Sequence, residues 1–301
     1  PGRIDRHLAV SKRARELGGR VVALTMPVIV PMNMSFGNYC ALNLMPGWGP
    51  ILNAPVPERI EKLRDEPTRR MMVERADSEE AGMFRRLAGF ADYVIGDTFS
   101  AANEGLSGRR VRDIAAERGD AEPFDTLIDI VIADDLRTVL WPSAPDDDDA
   151  HWDLRRELWK DPDVILGGSD AGAHLDRMCG GSYPTHLIAD SLRGRRILSL
   201  EQAVHALSDR PARHLGLRER GQVREGWIAD LVVFDPDTVD TAQPTIARDL
   251  PGGAPRMHAD STGIVRVFVG GVVTVADGSP TGATPGTVLR SGRDTETVTV
   301  A

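Results

Sequence analysis

Segments with apolar residues at helical spacing alternate with short, continuously apolar segments along the first two-thirds of the chain. Residues 4–19 (IDRHLAVSKRARELGG) have helical spacing and end on two glycines, which predicts a helix with a C-terminal stop. The apolar runs at 20–27 (RVVALTMP) and 161–168 (DPDVILGG) predict buried strands. Such alternation is typical of a parallel α/β sheet or barrel.

The segments between these two strands continue the alternation. Residues 26–50 are rich in Pro, Gly and Asn without a sustained period, which predicts a long loop. The pattern beyond them predicts helices over 55–90 with a break at Pro67, over 107–120, over 122–135 and over 151–162, and strands over 91–100 and 136–142.

The pattern changes after about residue 216. Residues 198–217 (LSLEQAVHALSDRPARHLGL) predict one amphipathic helix with Ser199 as its N-cap. Residues 221–236 and 263–278 are short β-rich runs split by glycines, and VGGVV in the second run is typical of a tight hairpin. The intervening residues, 237–260, have no regular pattern and predict an irregular surface segment.

Length and this change of pattern predict two domains, 1–216 and 217–301. No apolar run approaches the roughly 20 residues of a membrane span, and no signal peptide is evident, so we expect a cytoplasmic protein without membrane contact. The net charge of −9, from 45 acidic and 36 basic residues, disfavours a nucleic-acid partner. The two cysteines form no CxxC spacing and predict reduced thiols.

Candidate chemistry is concentrated in residues 167–181 (GGSDAGAHLDRMCGG), directly after the apolar run VIL. In parallel α/β folds, active-site residues follow the carboxyl ends of strands. Asp170 could ligate a metal there and accept a proton from water. Spacing alone favours another interpretation, in which Ser169 and Asp170 cap the following turn or helix.

Neighbouring side chains have similar alternatives. His174 would share a face with Asp170 if residues 171–177 were helical, although a lone histidine is more often structural. Arg177 suits bidentate capture of a substrate carboxylate, or it pairs with Asp176. Cys179 has no obvious general base beside it in the sequence to activate its thiol, which favours a buried thiol over a nucleophile.

Three segments together resemble the C-terminal half of amidohydrolase-superfamily enzymes of the N-acyl-D-amino-acid deacylase (D-aminoacylase) type. They are GGSDAGAHLDRMCG, the run LSLEQAVHALSDRPARHLGLRERGQVREGWIADLVVFD, and VRVFVGGVVTVADGSPTGATPGTVLR. MPGW at 45–48 is similar to the LPPW stretch of that family. The resemblance is strongest from about residue 160 to 290.

This resemblance implies hydrolysis of a non-peptide C–N bond by a metal-dependent enzyme on a (β/α)8 TIM barrel with a small C-terminal β-sandwich module. Residues 21–25, 138–141 and 164–168 would be strands six, seven and eight. Asp170 matches the aspartate that binds metal and shuttles a proton after the eighth strand, which reverses the preference for a capping role. The candidate substrate-binding residues are Ser169, His174, Arg177 and Tyr183.

The resemblance also implies zinc, as one or two ions, and a small N-acyl amino acid as substrate. The family's His-x-His pair is absent from the seven histidines here, and Thr25 and Met26 stand where a ligand histidine is expected. We therefore expect most ligands, and the first five strands, outside this chain, and an exposed sheet edge covered by a missing N-terminal half or a second copy.

Two alternatives remain open at this point. The chain could be a non-catalytic fragment or relative that keeps only the scaffold. It could also belong to a hydrolase of the same superfamily that acts on cyclic amides, which differs only in substrate.

Overall fold

The computed structural model describes residues 2–144 and 146–298. The helices are α1 (Gly2–Glu16), α2 (Gly49–Leu52), α3 (Val56–Arg64), α4 (Glu66–Ala76), α5 (Val111–Arg118), α6 (Pro123–Ala133), α7 (Asp149–Leu158), α8 (Tyr183–Leu192), α9 (Leu200–Leu207) and α10 (Asp209–His214). The 3-10 helices span Ala41–Leu44, Glu79–Leu87, Phe90–Asp92, Ala101–Asn103 and Pro251–Gly253.

The strands are short, and most pair in twos. They are β1 (Ala23–Thr25), β2 (Val94–Ile95), β3 (Leu140–Trp141), β4 (Val164–Leu166), β5 (Leu231–Phe234), β6 (Asp240–Thr241), β7 (Thr245–Ala247), β8 (Arg256–His258), β9 (Ser261–Thr262), β10 (Ile264–Val269), β11 (Val272–Ala276) and β12 (Ser279–Pro280). Among the described residues, no helix has the length and apolar character needed to span a membrane.

The chain divides into two compact units. One unit, called the split unit, contains residues 1–31 and 149–301, and the other, called the inner unit, contains residues 32–148. This division differs in position from the domain boundary near residue 216, which stays a prediction.

The split unit contains the parallel pair β1 and β4, with Leu24 opposite Ile165. All residues of β4 are buried, and its Val164 and Leu166 pack in a core with Trp152, Trp159 and Leu187. Because the two strands are parallel, their carboxyl ends lie side by side, and the Gly167 amide donates to the Thr25 carbonyl at 3.0 Å. The chain leaves β4 at this edge.

The predicted order of strands six, seven and eight is wrong. β1 pairs directly with β4, whereas β3, the predicted seventh strand, pairs antiparallel with β2. Leu140 of β3 is fully buried in the inner unit's own core, and its backbone also pairs with Met34. The strands β1 and β4 belong to the split unit, and β3 belongs to the inner unit.

The inner unit has an aromatic core around Trp48, which is fully buried and stacks on Phe90 at 5.7 Å between ring centroids. The Trp48 indole donates to the Met72 carbonyl of α4 at 2.9 Å. Pro67 lies in the first turn of α4, after the N-cap Asp65, which accepts from the Thr68 amide. Proline is favourable in a first turn, so Pro67 helps to begin a second helix where the sequence predicted a break.

The helix predicted over 198–217 is interrupted. Ser199 caps α9 as predicted, with a reciprocal pair of hydrogen bonds to Gln202. The helix ends at Leu207, and α10 begins at Asp209 after a non-helical Ser208. Pro211 explains the break, because its ring would clash with the Leu207 carbonyl in a continuous helix.

The C-terminal part is rich in β-structure, as predicted. An antiparallel sheet has the strand order β12, β11, β10, β5, and Gly270 and Gly271 form the predicted hairpin turn between β10 and β11. The β-sandwich itself stays a prediction. Residues 237–260, expected to be irregular, instead contain β6, β7 and β8, with β7 and β8 paired as a hairpin.

Candidate active-site loop

The loop that follows β4, residues 167–181, is called the site loop. Its two ends nearly touch, because a Cβ built on Gly180 would lie 1.7 Å from the Ser169 carbonyl oxygen. A loop of this length with adjoining ends is an Ω-loop. The candidate residues are therefore presented on a closed loop at the carboxyl edge of β4.

The helix considered for residues 171–177 is not formed. The segment consists of turns, and both Asp170 and His174 have left-handed backbones, with φ of 51° and 49°. Aspartate and histidine tolerate this conformation better than most residues. The helical relationship that would have put Asp170 and His174 on one face is therefore wrong.

Asp170 is exposed, and its carboxylate has no hydrogen bond or ion pair within residues 2–144 and 146–298. Ser169, by contrast, accepts a hydrogen bond from the Ala171 amide through its hydroxyl, at 3.1 Å. The local capping role thus belongs to Ser169. The Asp170 carboxylate is available to solvent and to a ligand.

Arg177 is buried, with 9% of its surface exposed. Its Nε lies 3.4 Å from a carboxylate oxygen of Asp176, so the pairing foreseen from the sequence is formed. The two terminal nitrogens of the guanidinium have no hydrogen bond to the part of the chain that is described. These donors retain the fork that binds a carboxylate in a bidentate way.

Tyr183 begins α8, and its hydroxyl oxygen would lie 4.0 Å from a Cβ built on Gly167. It therefore reaches the base of the site loop. His174 is exposed, and its carbonyl accepts from the amides of Arg177 and Met178 at 2.8 and 2.9 Å. No described hydrogen bond or ion pair joins the side chains of Asp170, His174, Arg177 and Tyr183 to one another.

Cys179 is half-buried near the end of the site loop. Burial raises the pKa of its thiol, and this outweighs the opposite effects of a hydrogen bond from the Ala259 backbone and the positive charge of Arg256. The group is therefore a neutral thiol at neutral pH. This agrees with the interpretation of Cys179 as a structural residue.

We tested whether the side chains present fit a zinc ion. Throughout the described ranges, no three His, Cys, Asp or Glu side chains come together to form a group that could hold a metal. Zinc sites use three or four protein ligands. The described residues therefore do not make a zinc site by themselves.

Sequence reasoning missed one structural neighbour of the site loop, the hairpin of β7 and β8. The Met257 amide of β8 donates to the Leu175 carbonyl in the middle of the loop at 2.7 Å. Strands of three residues are too short to show an alternating pattern, and the partner is distant in sequence. The sequence therefore held little signal for this contact.

Comparison with known proteins connects this loop with a family. The amidohydrolase family matches residues 6–278. An uncharacterised protein of Mycobacterium tuberculosis is 30% identical over 229 residues, which make up 73% of this chain and 36% of that protein. N-acyl-D-aspartate deacylase of Alcaligenes xylosoxydans xylosoxydans is 42% identical over 110 residues, 36% of this chain and 20% of that enzyme.

Among solved structures, one similar chain is N-acyl-D-glutamate deacylase from Bordetella bronchiseptica, complexed with zinc and a phosphonate inhibitor. It has a TM-score of 0.43 and 24% sequence identity, over 93% of this chain and 45% of that one. The present chain spans little more than a third of the length of the Mycobacterium tuberculosis relative and a fifth of the aspartate deacylase.

Proposed function

The chain belongs to the amidohydrolase family, and from that premise we propose that it is part of a metal-dependent enzyme that hydrolyses the amide bond of an N-acyl amino acid. The observation that carries this proposal is the exposed carboxylate of Asp170, which has no partner among the described residues and lies on a closed loop at the carboxyl edge of β4. The similarity to N-acyl-D-aspartate deacylase supports the substrate class.

In this proposal Asp170 acts as the general base and then as the general acid. Its carboxylate accepts a proton from the water that attacks the amide carbonyl, and it returns that proton to the departing amine nitrogen. The C–O bond forms and the C–N bond then breaks, giving a free amine and a carboxylic acid, which loses its proton to water. An exposed carboxylate without an internal partner is free to make both transfers.

Arg177 holds the carboxylate of the amino-acid part of the substrate. Arg177 is a buried residue, and within the described residues its guanidinium pairs with Asp176 only, through Nε, so the terminal nitrogens remain for a second carboxylate. Ser169, His174 and Tyr183 complete the proposed substrate contacts, with Tyr183 at the base of the loop.

Zinc, as one or two ions, is the proposed metal, by analogy with the zinc-bound deacylase. Because the described residues do not assemble a zinc site, we propose that Asp170 contributes one ligand and that most others lie outside this chain. Among the described residues β1 and β4 pair only with each other, and we propose that a further segment of the protein or a second copy covers their outer edges. The proposed site of action is the cytoplasm.

A scaffold without catalytic activity is the second candidate, favoured by the absence of a three-ligand group from the described residues. The two candidates differ in zinc content and in turnover. A cyclic-amide hydrolase differs from the first only in substrate, so the assay should include both substrate types.

The test compares this chain with a polypeptide extended by whatever sequence its gene encodes upstream, using N-acetyl-D-amino acids, a cyclic amide and added zinc. We expect hydrolysis in the extended protein, reduced about 100-fold or more by Asp170→Asn. Asp237→Asn, which changes another exposed carboxylate outside the site loop, is the matched control. Full activity in Asp170→Asn would overturn the proposed role. Absence of both zinc and turnover in the extended protein would favour the scaffold.

A further inference from the structure

The hairpin of β7 and β8 holds the site loop at two points. The Met257 amide donates to the Leu175 carbonyl at 2.7 Å, and Met257 itself is 5% exposed. The Ala259 amide, one residue beyond β8, lies near enough to the Cys179 thiol to oppose the rise in its pKa that burial causes. These contacts flank Arg177 along the loop.

A network of charged and polar side chains lies along the same hairpin. Arg256 donates two hydrogen bonds to the Asp249 carboxylate, at 2.7 and 2.6 Å. Its Nη1 lies 3.0 Å from Nδ1 of His258, and Nε2 of His258 lies 2.9 Å from Asp260. A guanidinium only donates, so Nδ1 of His258 accepts, and Nε2 carries the proton donated to Asp260.

This side-chain network links β8 to the segments that precede and follow it. Asp249 lies in the turn that leads into β8, and Asp260 follows the strand. Arg256 is central to this network, because it contacts both Asp249 and His258. A three-residue strand has few ladder hydrogen bonds of its own, so these side-chain contacts add to what restrains it.

We propose that the β7–β8 hairpin sets the position of the site loop and that Arg256 is a positioning residue for Arg177. The relevance to substrate binding rests on the proposed function above. Leu175 and Cys179 each lie two residues from Arg177, whereas Asp170 is nearer the neck formed by Ser169 and Gly180. Loosening the hairpin therefore moves the carboxylate-binding arginine more than the carboxylate base.

The first test needs no activity. We expect Arg256→Met to speed hydrogen exchange at the Met257 and Ala259 amides about tenfold. The control is Arg266→Met, which removes a similar arginine–carboxylate pair, to Asp277, from another hairpin of the same unit. Unchanged exchange in Arg256→Met, or equal acceleration in the control, would overturn the proposal.

Asp249→Asn is a milder variant that distinguishes a local effect from general unfolding. It keeps the shape of the side chain and weakens only the Arg256–Asp249 contact of the network. A smaller acceleration confined to the same two amides is expected, and Arg256→Lys should fall between wild type and Arg256→Met. Acceleration spread evenly over the unit in all three variants would contradict a local positioning role.

The second test uses the extended protein that hydrolyses the substrate. Arg256→Met should raise KM for the N-acyl amino acid about tenfold and leave kcat within about threefold. A fall in kcat at constant KM would overturn the link to Arg177. The two proposals fail separately: retained activity in Asp170→Asn removes the proposed function without touching the exchange result, and unchanged exchange removes the hairpin's role without touching hydrolysis.

Discussion

The carbonyl oxygen of Ser169 occupies the space that a side chain on Gly180 would need. A Cβ built on Gly180 would lie 1.7 Å from that oxygen and 2.7 Å from the carbonyl carbon. Both atoms belong to the backbone, so neither can rotate away. The site loop keeps its narrow neck only because position 180 has no side chain.

Gly180→Ala should therefore force the neck open. We expect a loss of about 1–3 kcal/mol in the free energy of unfolding, the usual cost of overpacking, together with faster hydrogen exchange in residues 169–180. Gly286→Ala is the matched control, since nothing lies within 4 Å of its Cβ. Equal stability of the two variants in thermal unfolding would contradict the close approach.

Arg177→Lys should weaken substrate binding while preserving the positive charge. Lysine lacks the planar fork, so we expect KM for an N-acyl amino acid to rise about tenfold or more, with kcat changed less. The measurement is steady-state hydrolysis by the extended protein. Arg196→Lys, at an exposed position, should leave KM unchanged, and an unchanged KM in Arg177→Lys would exclude a fork-type contact.

Ser199→Ala should lower the stability of the split unit by about 1 kcal/mol, because the serine accepts from the Gln202 amide at the start of α9. Ser182→Ala is a useful comparison, since Ser182 precedes α8 without a side-chain capping bond. Urea unfolding of both variants checks the expectation. A similar loss in the two would show that the capping bond contributes little.

Asp209 should make stability depend on pH at the acidic end. Burial alone would raise the pKa of this carboxyl, but hydrogen bonds from Arg213 and Gln222, at 2.9 and 2.6 Å, outweigh burial and hold the pKa below its ordinary value. A carboxyl whose pKa is lower in the folded state than in the unfolded state stabilises the fold fully at a pH above its unfolded-state pKa. That contribution disappears as the pH falls through its folded-state pKa.

Asp209→Asn should consequently cost about 1 kcal/mol at pH 7 and flatten the decline in stability below about pH 4. Thermal unfolding between pH 2.5 and pH 7, at about half-unit steps, measures both effects. Asp237→Asn, an exposed carboxylate for which no such hydrogen bonds exist among the described residues, should follow the wild-type curve. If the stability of Asp209→Asn fell between about pH 4 and about pH 2.5 as steeply as that of the wild type, the prediction would be refuted.

Local signals in the sequence identified much of this protein. The apolar run before Gly167 predicted β4, Ser199 predicted a helix cap, and the pair Gly270 and Gly271 predicted a hairpin. Each of these features depends on residues within a few positions of one another, so a linear pattern contains the information. The same linear motifs identified the family and directed attention to Asp170.

Tertiary structure decided which distant segments meet. Three contacts join positions far apart in sequence. They are the pairing of β1 with β4, the pairing of β2 with β3, and the hydrogen bond from the Met257 amide to the Leu175 carbonyl. Such pairings depend on which of several possible apolar and backbone partners is most favourable. Strands of two or three residues have too few positions to specify that partner in their sequence. The sequence determined the chemistry that the site loop displays, and packing determined the shape in which the loop displays it.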